Sequence, residues 1–129
     1  MGAWGTGSFE NDDALDFLAG LEEEQDVEVV EDAIDAVIDV DFVDSDAASA
    51  AVAAVEVVAA MLGKAAPRLP KEIASWARGQ GAPEAELVEA AKKALDVVLN
   101  KSELRNLWDD SEDADRWAEA IKGLAARLS

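Results

Sequence analysis

The chain of 129 residues contains no cysteine, no histidine and no tyrosine. Without cysteine there are no disulfides and no thiolate chemistry. Without histidine the usual general base, the usual zinc ligand and the Ser-His-Asp arrangement are lost together. An enzyme made from the remaining residues would work with carboxylates, Lys, Arg, Ser and Thr, and with a hard metal. Positive charge is missing from a whole half of the chain: residues 1–63 hold 17 Asp and Glu and no Lys or Arg. Residues 64–129 hold 12 acids against 11 bases, so the net charge of −18 divides as −17 and −1. Adaptation to salt would spread acid over the entire surface; this split points instead to one anionic face. A long hydrophobic run is also lacking. The most apolar stretch, Ala47 to Leu62, is rich in alanine, includes Glu56 and is shorter than the ~20 residues of a membrane span.

The N-terminus has neither a basic segment nor an apolar one of the secretory kind. These features lead us to expect a soluble, cytoplasmic protein with no membrane partner. Gly2 and Thr6 match the loose myristoylation pattern, but a chain of this charge is repelled by anionic lipid. Half of the residues are hydrophobic and 31% are charged, which suits one folded domain over residues 1–129 and is too apolar for disorder.

Hydrophobic spacing predicts helices throughout. Residues 1–10 read as a glycine-rich arm pinned by Trp4 and Phe9. Asn11 is suited to cap a first helix reaching about Leu21, with Ala14, Leu15, Leu18 and Leu21 as its apolar stripe. Val27, Val30, Ile34, Val37 and Ile38 set a second helix from about 27 to 39, although the alternation from Ile38 to Phe42 also suits extended chain. Asp46 is expected to cap a third helix, Ala47 to about Leu62, closed by Gly63. Being apolar on nearly all sides, it should be the central helix. A short helix from Lys71 to Arg78 follows. Pro83 is placed to open a fifth helix, to about Leu99, with Leu87, Ala91, Ala94, Leu95 and Val98 buried. Ser102 caps a short turn carrying Leu104, Leu107 and Trp108. Ser111 opens a last helix, with Trp117, Ala120, Ile121, Leu124 and Leu128 inward. The expected fold is all-α: a single compact domain of six or seven helices around an Ala/Val-rich centre.

The opening MGAWGTGSFENDDALDFL is quite specific, and the segment Ala53 to Ala60 around Glu56 and Ser102-Glu103-Leu104 with Leu107-Trp108 and Trp117 fit the same pattern. Across nearly the whole chain this sequence resembles a family of small bacterial proteins that carry only a domain-of-unknown-function label. The resemblance implies a helical domain of unknown role, and brings no catalytic residue, ligand or partner with it.

Chemistry must therefore be read from the residues. Glu28, Asp32, Asp35 and Asp39 recur at steps of four, three and four, with Glu31 alongside, which puts them on one helical face. Like charges so placed cost roughly 0.2–0.5 kcal/mol per pair. Solvent and salt, bases from the second half, or an external basic partner would each offset that repulsion. The series Asp39, Asp41, Asp44, Asp46 fails as an EF-hand loop, since Asp44 stands where the required glycine belongs and Ala50 where the closing glutamate belongs. No GxxxxGK[ST] loop is present. Glu22, Glu23, Glu24, Glu28 and Glu31 could serve a Mg²⁺-dependent all-α hydrolase, but no second acidic motif on a partner helix and no phosphate cradle accompany them.

Glu56, the one charge within its apolar helix, needs a donor: an indole, a Lys or Arg side chain, or backbone N–H groups. It reads either as an anchor for the glycine-rich arm, through Trp4, or as a carboxylate lining a pocket. Direct nucleic-acid binding is disfavoured for want of a basic face. The expected function is a non-catalytic interaction protein whose residues Glu28, Glu31, Asp32, Asp35 and Asp39 bind or neutralise a basic protein. No cofactor or metal ligand set is assigned, and the oligomeric state is left open. The alternative is the Mg²⁺-dependent hydrolase.

Overall fold

A computed structural model describes residues 12–66 and 69–128. Among them are seven helices: α1 (Asp12–Glu24), α2 (Val27–Ile38), α3 (Ser45–Met61), α4 (Lys71–Gly79), α5 (Ala85–Asn100), α6 (Glu103–Asp109) and α7 (Ala114–Arg127). The fold is all-α and forms a single domain, with α3 packed against each of the other six helices. Valine is a modest helix former because its branched side chain loses rotamer freedom against the preceding turn. Here burial outweighs that cost: every residue of α3 from Ala51 to Met61 is buried. The small alanines let neighbouring helices approach closely on all sides.

Side-chain caps start three of the helices, α2, α3 and α6. The Asp26 carboxylate accepts the Glu28 N–H at 2.9 Å and starts α2. At the start of α3 the cap is Asp44, not Asp46: its carboxylate accepts the Ala47 N–H at 2.8 Å, and Asp46 lies in the first turn. Gly63 ends α3 as expected. Its φ of 83° places it in the left-handed region, where a residue without Cβ is favoured. The Gly63 N–H then reaches the Ala60 carbonyl and the Lys64 N–H the Ala59 carbonyl, both at 2.9 Å, which makes a Schellman closure.

Five other expectations need correction. Helix α1 runs one turn past Leu21 to Glu24 and stops at Gln25, which takes a positive φ of 48°. Leu15 faces outward, and only Ala14, Leu18 and Leu21 are buried on α1. Helix α5 begins at Ala85 behind an N-cap at Glu84, so Pro83 precedes the helix instead of opening it. Ser111 forms a turn, its hydroxyl accepting the Asp113 N–H at 3.0 Å, and α7 starts only at Ala114. Leu87 is half-buried, whereas Val97 joins the core. The proposed Asn11 cap, Trp4 and the glycine-rich arm lie outside the described residues. No helix among the described residues is long and apolar enough to cross a membrane.

Candidate functional site

The burial pattern of α2 fixes which way its charges point. Val30, Ile34 and Val37 are buried against the core, so the helical period turns Glu28, Glu31, Asp32 and Asp35 to the opposite side, where all four are exposed. Asp39, also exposed, is the C-cap residue just beyond the helix. The five acids thus share one surface, and α2 carries no basic residue in its last turn to answer the helix dipole.

Four bases of the second half are engaged elsewhere. Lys92 pairs with Glu89, Arg105 with Asp109 and Arg116 with Asp113, each within three or four residues. Arg127 reaches across the fold to Glu56. Among the described residues, none of the five face carboxylates has a Lys or Arg within ion-pair distance. Among the described residues, no direct ion pair within the chain offsets the repulsion along this face.

The chain leaving the face is held in place. Val43 forms an isolated parallel bridge with Ser102, the Val43 N–H donating to the Lys101 carbonyl at 3.0 Å and the Glu103 N–H to the Val43 carbonyl at 2.7 Å. The Glu103 carboxylate also accepts the Ser45 N–H at 3.0 Å. Between Asp39 and this clamp, Val40 and Phe42 stand 44% and 55% exposed. The extended alternation open from the sequence is not what forms: α2 runs through Ile38, and Asp39, Asp41 and Phe42 lie in bends of an exposed connection pinned at Val43.

A second acidic contact joins the first turns of α1 and α3. The Asp13 carboxyl is pushed above the usual carboxylate range, first by partial burial and then by Asp46, which lies within hydrogen-bonding reach, with Asp16 and Asp12 adding to the effect. Asp13 therefore takes up a proton more readily in the folded protein than an ordinary carboxylate does.

Glu56 is anchored at the opposite end of α3. Arg127 Nη2 lies 2.8 Å from its Oε1 and donates to Oε2 at 3.0 Å, while Nη1 donates to the Lys64 carbonyl at 3.2 Å. Arg127 thus supplies the donor that the sequence required, and ties the last turn of α7 to α3 and its closing loop. Glu56 lines neither the cleft between α2 and the α4–α5 connection nor the shallow one between α1 and α4. Sequence reasoning did not single out Arg127. The available signal was its position three residues after the buried Leu124, at the edge of the inward stripe of α7.

Among the described residues no group of three or more acidic side chains is placed to hold a metal ion. The carboxylates Glu22, Glu23, Glu24, Glu28 and Glu31 are exposed along two successive helices and do not gather into a coordination shell. Residues 2–120 match the model of a family described as "Domain of unknown function (DUF4259)". No curated protein and no solved structure matches the chain.

Proposed function

We propose that this chain, which belongs to the family of domains of unknown function DUF4259, is a non-catalytic interaction protein that docks a basic protein on the acidic face of α2. The observation carrying this reading is the set Glu28, Glu31, Asp32, Asp35 and Asp39. They are exposed on one surface, and no Lys or Arg pairs with them among the described residues. Repulsion along the stripe is relieved when cationic side chains approach it, so part of the binding free energy comes from strain already present in the unbound protein. Val40 and Phe42, exposed at the end of the stripe, add the apolar and aromatic contact that interface centres favour. Long-range attraction between an anionic surface and a cationic partner accelerates encounter and makes it sensitive to salt.

The test is an affinity capture from the native host's lysate, washed first at low and then at high ionic strength. A basic protein held at low salt and released at high salt is the expected result. A partner that resists high salt, or one that is itself acidic, refutes the reading.

A further inference from the structure

A cleft of about 220 Å³ opens where the first turn of α2 meets the connection between α4 and α5. Val27 and Glu31, one helical turn apart, form its α2 side. Met61 and Leu87 supply further apolar wall, and Glu84 brings a carboxylate from the other half of the chain. Met61 is buried, Val27 and Leu87 are half-buried, and both glutamates are exposed. Although Glu84 occupies the N-cap position of α5, its side chain makes no capping hydrogen bond. Glu31 belongs at once to this cleft and to the acidic face, so the two are continuous.

Two carboxylates beside an apolar wall call for a ligand that is cationic at its tip and aliphatic along its stem. A divalent cation is a poor match, because hard cations take six or more oxygen ligands and leave an apolar wall unused. A guanidinium matches better than an ammonium: it is planar, offers several donors to two separate carboxylates and is less strongly hydrated. Its methylene stem can lie along apolar side chains while the charge stays at the rim.

We propose that this cleft receives an arginine side chain of the basic partner, its guanidinium against Glu31 and Glu84 and its stem on Met61 and Leu87. The inference rests on the reading of the acidic face as a docking surface and gives that surface an anchoring point.

The experiment is a titration of the full chain, with labelled methyl groups, by N-acetyl-arginine amide and by its neutral isostere N-acetyl-citrulline amide. Saturable shifts at Val27, Met61 and Leu87 are expected for the arginine compound, with citrulline at least about tenfold weaker. Glu84→Gln should weaken arginine binding, and Ala82→Trp, at an exposed position lining the cleft, should block it while the melting curve stays cooperative. Equal responses to the two compounds, or non-saturating shifts spread over the acidic surface, would overturn the proposal. Reversal of Glu28, Asp32 and Asp35 to Lys separates the two ideas, since none of the three lines the cleft. If that reversal abolishes partner capture while arginine amide fails to bind, the face stands and the cleft proposal falls. If arginine amide binds as expected but capture is indifferent to the reversal, the cleft stands and the acidic-face reading falls.

Discussion

Replacing Arg127 with Met removes the guanidinium and keeps much of the aliphatic stem, leaving Glu56 in a core of alanine and valine. The Glu56 side chain is only 4% exposed and that of Arg127 32% exposed. Breaking a fully buried pair by deleting one partner costs about 3–5 kcal/mol, because the remaining charge is desolvated and uncompensated. Arg127 opens partly to water, and solvent can follow the shortened side chain toward the carboxylate, so we expect a loss of about 2 kcal/mol. For a domain of this size that corresponds to a fall in Tm of about 8 °C. Equilibrium urea denaturation followed by tryptophan fluorescence measures it directly. A double-mutant cycle with Glu56→Gln isolates the pair, since the neutral amide tolerates loss of its partner better than the carboxylate does. The two substitutions together should therefore cost clearly less than the sum of each alone. Arg127→Lys should fall between, retaining charge but not the forked donor that also reaches the Lys64 carbonyl. A loss under about 0.5 kcal/mol, the size seen for an exposed pair, or strict additivity in the cycle, would refute the assignment of this pair as a buried anchor.

Other expectations follow from the same geometry. Asp13→Asn should stabilise the fold at neutral pH. The Asp13 carboxyl is raised by burial and by Asp46, so the folded state holds its proton more tightly than the unfolded chain; the resulting stability is present at low pH and lost as pH rises through the folded value. The advantage of the variant over the parent should accordingly shrink on acidification, and parallel urea melts across that range would show it; a constant advantage would contradict it. Ser102→Ala should cost about 1–2 kcal/mol, because this fully buried hydroxyl donates to the Val98 carbonyl and accepts the Arg105 N–H at 3.0 Å. A change within error in urea would show that the bridge to Val43 holds the α5–α6 junction without the cap. Gly63→Ala should cost about 1 kcal/mol, since φ is 83° there, measured by the same melts; an unchanged midpoint would mean that the loop relaxes.

What could be read from the chain alone was governed by how local the cause is. Helix α3 was legible because sixteen residues without Gly or Pro, nearly all apolar, leave little alternative to a buried helix. The orientation of α2 followed from Val30, Ile34 and Val37, whose period fixes the face that the acids must occupy. Caps separated by one or two residues were harder. Asp44 and Asp46 are chemically equivalent, and Asp44 wins because the bridge from Val43 to Ser102 sets where the preceding chain arrives, a constraint that no local pattern contains. Leu15 obeyed the helical period on α1, yet the adjoining stripe of Ala14, Leu18 and Leu21 was the one that met α3. The partner of Glu56 lies 71 residues away; the need for a donor was visible, but its identity among eleven Lys and Arg depended on how α7 crosses α3. The cleft between Glu31 and Glu84 had no local signature either, being made where α2, the end of α3 and the start of α5 converge.

The most direct test of the docking face separates its position from the overall charge. Glu28, Asp32 and Asp35 on α2 would be changed to Lys, and in a second variant Glu112, Asp115 and Glu119, also exposed, would be changed likewise. Both variants alter the net charge equally. Binding of the low-salt partner captured from the host lysate would then be measured for each by calorimetry. The acidic-face account predicts that the α2 variant loses binding, with its fold unchanged or slightly stabler, while the other variant retains most of it. Equal losses in the two variants would show that net charge alone drives the association, and binding that survives the α2 reversal would contradict the account outright.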